Sequence, residues 1–211
     1  IVDVAGLVGS SSFSGVGTGL HFRNGSRCKV IVRQTNWLKY GVHVDTTWTS
    51  GAPMPFIAEN DFWIKSDSGT VGLQISTSND AAGVPVDANY FYLGSSFNHT
   101  TAIVRVQAGT TASNSNVHNN TFEHEQLEIG QTNSSGIVLT GLAHANKFII
   151  HNMRGRNGTG VYGSTDSNAT NNLWVVMQWL ASDWSFNTNQ QVYALSAQDG
   201  TNAQLGRSWY W

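Results

Sequence analysis

Short segments in which apolar and polar positions alternate run through most of the chain. One recurring phrase starts with Asn, continues with an aromatic residue and then alternates, and its copies begin at Asn36, Asn60, Asn89, Asn120, Asn146 and Asn172. A period of two places successive side chains on opposite faces of a β-strand. Each copy therefore predicts a strand with one buried and one exposed face.

A second phrase, Gly-apolar-x-apolar, falls between these anchors, at Gly19–Phe22, Gly41–Val44, Gly72–Ile75 and Gly136–Leu139. The Asn-to-Asn spacings are 24, 29, 31, 26 and 26 residues. A unit of this length cannot bury a core alone, whereas stacked units bury their inward residues against the copies above and below. The pattern predicts an all-β, right-handed parallel β-helix, a solenoid of about six coils. A two-layer β-sandwich is the rival fold, but it gives no reason for Asn to recur at one phase.

The repeat sets the expected domain organisation and the expected core. We expect an entry or linker segment at 1–18, the parallel β-helix at 19–186, and a C-terminal cap or oligomerisation segment at 187–211. From Asn60 to Asn172 the repeated Asn residues should form one stacked column at a turn. Two inward columns follow: Phe62, Phe91, Phe122, Phe148 and Trp174, then Ile64, Leu93, His124, Ile150 and Val176. His124 is interpreted as a hydrogen-bonded core histidine rather than a ligand.

Composition removes several other classes of protein. Of the 211 residues only 11% are charged, against roughly 25% in ordinary soluble domains, and the net charge is −2. The 8 Trp, 6 Tyr and 9 Phe argue against a disordered chain. The 11 Lys and Arg are scattered, so no nucleic-acid partner is expected. No apolar run is long enough for a membrane span, and the first residues do not show a signal-peptide pattern. The chain starts with Ile1, so we expect a processed chain or a piece of a longer one.

The repeat resembles the right-handed parallel β-helix of the pectate-lyase-like superfamily. Residues 116–180 look most like the β-helical bodies of bacteriophage tail spikes, through Asn-Asn-Thr-Phe-Glu-His, Ser-Gly-Ile-Val-Leu, Ala-Asn-Lys-Phe-Ile-Ile and Asn-Asn-Leu-Trp-Val-Val. The chain lacks the Gly-His-Gly and adjacent-Asp phrases of polygalacturonase-like members, and the Asp cluster of calcium-dependent pectate lyases. The resemblance is therefore specific for architecture. It implies a virion tail-spike-like protein that binds, and in some relatives depolymerises, a host cell-surface polysaccharide.

Three of the four Glu residues cluster at Glu123, Glu125 and Glu128. One coil later, at the local offset of 26, His151 should lie opposite Glu125 and Arg154 opposite Glu128. A carboxylate beside an imidazole suits acid–base work on a glycosidic bond, so Glu123, Glu125 and His151 are the candidate catalytic residues. The alternative is a set of surface ion pairs that contribute under about 1 kcal/mol each.

Exposed aromatic side chains in the same column suggest a sugar-binding surface. Trp63 and Tyr92 should stack there, and sugar rings pack on exposed aromatic faces. We therefore predict carbohydrate binding by Trp63, Tyr92, Glu128 and Arg154. The alternative for the two aromatic residues is burial under a long turn or a neighbouring subunit.

The sequence predicts no metal site and no cofactor. His21 and His43 occupy matching outward positions and could ligate a metal with one more donor, but the sequence suggests no third ligand, which favours a surface ladder. Cys28 is alone, so a disulfide within the chain is excluded. The terminal Ser-Trp-Tyr-Trp suggests a cap or an interchain contact.

Two functions follow from these observations as alternatives: a polysaccharide-binding tail-spike-like protein, or a non-catalytic structural or adhesive fibre. Either would form a homo-oligomer, with a trimer expected, and either would be extracellular or on a virion surface. No membrane partner is expected.

Overall fold

Parallel β-strands build almost the whole described structure. The computed structural model describes residues 1–9, 16–47, 55–78, 84–96, 98–110, 116–156, 159–179, 183–186, 189–197 and 207–210. The strands are β1 (Val2–Val4), β2 (Leu7–Val8), β3 (Thr18–Phe22), β4 (Gly25–Ser26), β5 (Lys29–Asn36), β6 (Leu38–Thr46), β7 (Ile57–Ala58), β8 (Asp61–Ser66), β9 (Gly69–Thr77), β10 (Val86–Asp87), β11 (Tyr90–Leu93), β12 (His99–Gln107), β13 (Val117–His118), β14 (Thr121–His124), β15 (Leu127–Ile129), β16 (Ser135–Thr140), β17 (Ala143–His144), β18 (Lys147–Ile150), β19 (Met153–Arg156), β20 (Gly163–Thr165), β21 (Leu173–Trp179), β22 (Trp184–Ser185), β23 (Gln191–Ala197) and β24 (Arg207–Tyr210).

The strands stack into three long sheets and one short pair. Sheet A has the order β1-β5-β8-β11-β14-β18-β21-β23-β24, with β2 also on β5; sheet B is β22-β20-β16-β12-β9-β6-β3; sheet C is β17-β13-β10-β7-β4; sheet D is β15-β19. Each turn of the chain passes through sheet C, then sheet A, then sheet B. The fold is therefore a parallel β-solenoid, as predicted, with about five turns instead of six.

The pairing register confirms the repeat read from the sequence. Phe91 pairs with Phe62 on one side and with Phe122 on the other, and Phe148 continues the row to Trp174. These five side chains are fully buried, and consecutive rings stack with centroids 4.3 to 4.8 Å apart. The inward phase predicted for this column is correct.

The predicted Asn column is present at the turn from sheet C into sheet A. Each side-chain amide donates to the Oδ1 of the next member, at 2.9 Å for Asn60 to Asn89 and 3.1 Å for Asn120 to Asn146. The backbone N–H of Asn60 donates to the same Asn89 oxygen at 3.0 Å. The ladder thus satisfies buried polar groups that the turn would otherwise leave unpaired.

Asn36 does not belong to this column. The phrase that begins at Asn36 therefore does not start a strand of sheet A, unlike the later copies. Cys28 holds the equivalent position, because its backbone N–H donates to Asn60 Oδ1 at 2.9 Å. Asn36 ends β5, and Trp37 follows with a φ of 60° at the corner into β6. At this end of the ladder, Asn60 Oδ1 needs only a hydrogen-bond donor, and the backbone N–H of Cys28 supplies one. No asparagine side chain is therefore required at position 28.

The parallel pairing continues past both ends of the predicted 19–186 range. At one end β1 pairs with β5, and at the other β23 pairs with β21. β24 then pairs antiparallel with β23 and departs from the solenoid pattern. The division into entry, body and cap stays a prediction, and the Ser-rich segment 10–14 and Trp211 lie outside the described residues. No helix of the described residues is long and apolar enough to cross a membrane.

Candidate functional site

Five of the seven predicted site residues lie on the outward face of sheet A. Tyr92 pairs with Trp63 on one side and with Glu123 on the other. Glu125 and His151 lie just past the ends of β14 and β18 and continue the same face. Because a parallel sheet advances about 4.8 Å per strand, these side chains cover about 14 Å of one surface.

The aromatic end of this surface is a shallow groove of about 240 Å³. Its lining includes Ile31, Arg33, Trp63, Lys65, Tyr92 and Gly94. The rings of Trp63 and Tyr92 are 4.7 Å apart and tilted by 36°, and Trp63 remains 39% exposed. The groove therefore has an apolar, aromatic floor with cationic side chains at its rim.

Gly94 keeps the groove open beside Tyr92. It lies in the outward column between Lys65 and Glu125, and an added Cβ would meet nothing closer than 3.9 Å. Its backbone has no left-handed conformation that would require glycine. A side chain at this position would project into the groove without backbone strain. Gly94 is therefore not required by the fold, but its missing side chain leaves the groove open.

Glu123 is the best-organised acidic group on this face. Its Oε2 accepts a hydrogen bond from the Tyr90 hydroxyl at 2.6 Å, and its Oε1 lies 2.8 Å from His151 Nε2. The hydrogen bond from Tyr90, followed by that from His151, lowers the pKa of the Glu123 carboxyl despite partial burial. Burial and the same carboxylate raise the pKa of Tyr90 to about 12. Glu123 is thus held as a carboxylate, the form that accepts a proton or acts as a nucleophile.

His151 faces Glu123 and not Glu125, which corrects the predicted pairing. The backbone register is as expected, since His151 N–H donates to the carbonyl of His124 at 2.9 Å. The imidazole, however, reaches diagonally to Glu123, because diagonal neighbours on a sheet are within reach of long side chains. Glu125 is exposed, and its Oε2 lies 3.5 Å from the Tyr92 hydroxyl. Burial, then the charge of Glu125, raise the pKa of Tyr92.

Glu128 and Arg154 lie apart from this face, on sheet D. They are register partners, as predicted, on β15 and β19. The ion pairs among the described residues do not include this one, and Glu128 instead accepts a hydrogen bond from Gln126 at 3.0 Å. The exposed Arg154 guanidinium therefore faces solvent one corner away from the groove.

Two residues that contribute to the site, Tyr90 and Lys29, were not predicted from the sequence. Tyr90 holds Glu123, and Lys29 Nζ lies 5.3 Å from the Trp63 ring centre. Tyr90 could have been predicted from the period-two alternation, because Tyr90 is two residues before Tyr92 and therefore lies on the same face of the strand. Lys29 occupies the position opposite Asp61, two residues before Trp63, and only the register makes this visible.

His124 does not form the hydrogen bonds expected of a satisfied core histidine. It is fully buried between Leu93 and Ile150, and neither ring nitrogen has a hydrogen-bond partner among the described residues. Burial lowers its pKa to about 3. His124 is thus a neutral core residue behind the site.

Comparison of the chain with protein-family models, curated proteins and solved structures gives no match.

Proposed function

We propose that the chain binds a host cell-surface polysaccharide along the outward face of sheet A, as the β-helical body of a virion tail-spike-like protein. A β-helical solenoid fits a fibre or a polysaccharide-binding protein in general. The observation that carries the proposal is the exposed Trp63–Tyr92 pair in the floor of a groove. Aromatic rings offer the apolar faces of sugars a rigid surface, while rim groups supply hydrogen bonds.

The surface suits a chain-like ligand better than a compact one. The aromatic pair, Glu123 and His151 follow one another across four consecutive strands of sheet A. The groove is open along its length and not closed over. A polysaccharide would lie across the strands, with one sugar ring on the aromatic floor and the next units beside Glu123.

Cleavage of the bound glycan is a second, separable activity that the acidic residues favour. The ionised Glu123 suits the role of a general base that activates water, and Glu125 would supply the acid. Outward carboxylates two residues apart are separated by roughly 6–7 Å, which overlaps the lower end of the separation in inverting glycosidases. His151 would orient Glu123 through their hydrogen bond.

We also propose an extracellular or virion-surface location and a homo-oligomer, with a trimer favoured. Large apolar side chains are exposed near the N-terminal end, namely Val8 at 72% and Val16 at 79%. In such an oligomer a neighbouring subunit would cover these side chains. Arg154, on the neighbouring sheet D, would hold an acidic group of the glycan.

Binding is tested with a panel of capsular and O-antigen polysaccharides in affinity electrophoresis. The Trp63→Ala variant should weaken retardation by the recognised glycan at least 10-fold, because the floor of the groove is lost. Gly94→Leu should do the same by filling the groove, with the thermal midpoint unchanged.

Tyr193→Ala is the matched control for this experiment. Tyr193 is 42% exposed and occupies the same outward column of sheet A, beyond Val175. Its removal should leave binding intact. If both groove variants bind as wild type does, the glycan site is elsewhere.

Cleavage is tested by following new reducing ends or unsaturated sugars released from the recognised glycan. Glu123→Gln keeps the shape of the side chain but removes the charge, so turnover should fall about 10²-fold or more. Glu125→Gln should have a similar effect if it is the acid. A wild-type protein that binds the glycan and never cleaves it identifies a non-catalytic adhesive fibre.

A further inference from the structure

A second cluster of chemically active side chains lies on sheet B, away from the groove. His21 of β3 and His43 of β6 are register partners on adjacent turns, and Asp45 follows two residues after His43. One ligand atom from each of the three lies within 4.8 Å of the others. Among the described residues, no other group of His, Cys, Asp and Glu side chains converges in this way.

The two imidazoles are oriented alike. Their rings stack at 4.9 Å with an angle of 5° between the planes. His21 Nε2 lies 2.9 Å from Asp45 Oδ2, and His43 Nε2 lies 3.0 Å from Ser76 Oγ. Both Nε2 atoms therefore point toward the column that contains Asp45 and Ser76, with His43 reaching it one strand further along than His21.

Asp45 is held in place by its own surroundings. Its side chain is 8% exposed, and its Oδ1 accepts hydrogen bonds from the Thr47 backbone N–H at 2.8 Å and from the Thr47 hydroxyl. The other oxygen, Oδ2, is left facing His21. A ligand fixed by such second-layer hydrogen bonds loses little freedom when it binds a metal.

We propose that His21, His43 and Asp45 bind a divalent transition-metal ion, with Zn²⁺ as the best match. Two imidazoles and one carboxylate are a donor set of zinc sites and leave coordination positions for water. Hard ions such as Ca²⁺ prefer oxygen ligands and would be excluded. Zinc–ligand distances of about 2.0–2.1 Å require His43 to approach by up to about 1.5 Å, exchanging its contact with Ser76.

The bound ion would clamp the first turn of sheet B. Among the strands that the structure describes, β3 is at the edge of this sheet and pairs with β6 alone. A metal held by His21 from β3 and by His43 and Asp45 from β6 would join the edge strand to its neighbour. An ion bound only by the folded state stabilises that state.

Arg23 is the competitor of the metal at this site. Its Nε lies 3.7 Å from Asp45 Oδ2, and its guanidinium also donates to the Thr47 carbonyl at 2.7 Å. A cation in the site must displace this partner or share the carboxylate with it. Removal of the guanidinium should therefore strengthen metal binding while every ligand stays in place.

The test is calorimetric titration of the chelator-stripped chain with Zn²⁺, together with visible absorption of the Co²⁺ complex. We expect one equivalent of Zn²⁺ and a rise of the thermal midpoint on binding. His21→Ala and His43→Ala should each weaken binding at least 10-fold and abolish the Co²⁺ bands. Arg23→Gln should bind Zn²⁺ a few-fold more tightly. The His21 side chain is 44% exposed on an edge strand, so its removal should leave the fold intact.

His118→Ala provides a matched control, since sheet C carries a similar set of residues. There His118 stacks on His144 at 5.3 Å and lies 3.3 Å from Asp87, but the three residues form a straight ladder. Zn²⁺ affinity should be unchanged in this variant. The proposal is overturned if wild type binds no Zn²⁺, if both sheet B histidine variants bind it normally, or if binding is lost in His118→Ala.

Discussion

The turn before each ladder asparagine places a residue in the left-handed region of backbone conformation. These residues have φ values of 53° to 70°. Five of them each precede a ladder asparagine, namely Glu59, Ala88, Asn119, Ala145 and Asn171, whereas Arg27 precedes Cys28 and Asn189 precedes Gln190. Residues other than glycine and asparagine, here Arg27, Glu59, Ala88 and Ala145, are destabilised by about 1–2 kcal/mol in this conformation. The ladder holds the turn in place because the Oδ1 of one asparagine accepts hydrogen bonds from both the side-chain amide and the backbone N–H of the preceding one, as Asn120 does from Asn89.

His124 makes the stability of the solenoid sensitive to acid. Its pKa is about 3 in the folded chain and about 6.5 when unfolded, so the unfolded state binds the extra proton between these values. The free energy of unfolding should fall as the pH drops from 6.5 toward 3, by up to about 1.4 kcal/mol per pH unit from this residue. His124→Leu should flatten the slope, measured by urea unfolding at pH 4 to 8. An unchanged slope would mean that His124 is not buried as a neutral group.

At the scale of the strand, the ring-to-ring contacts of the aromatic stack in sheet A exist only when neighbouring strands keep their pairing register. Phe148→Ala removes a ring between Phe122 and Trp174 and should cost about 3–5 kcal/mol of unfolding free energy. Ile149→Ala, one residue on and only partly buried, should cost clearly less. Denaturant unfolding of both variants measures the difference, and equal losses would contradict the inward phase of Phe148.

The strands and their phase could be predicted because each inward residue repeats one turn later. The same repetition placed Glu123, Glu125 and His151 on one face, but it could not choose between straight and diagonal contacts. The Glu123 carboxylate bonds Tyr90 from one flanking turn and His151 from the other, one through each oxygen. The spacing of residues along the chain does not show this diagonal contact. Asp45 was missed as a third donor for the same reason, since it reaches His21 across a diagonal between turns.

At the scale of the whole molecule, the solenoid presents two separate outward surfaces. Each is formed by the outward-pointing residues of strands whose alternate residues point into the core. The outward face of sheet A carries the groove with Trp63 and Tyr92, and that of sheet B carries His21 and His43. The inward faces of both sheets pack into one hydrophobic core. Loss of metal binding should therefore leave glycan binding unchanged, and the reverse should hold as well.

A crystal structure with an oligosaccharide of the recognised glycan would show whether sheet A binds a polysaccharide in its aromatic groove. We expect a sugar ring against Trp63 and Tyr92, with the following units extending across the strands toward Glu123 and His151. An oligosaccharide bound on sheet B, on sheet C or between subunits, with the groove free, would contradict it.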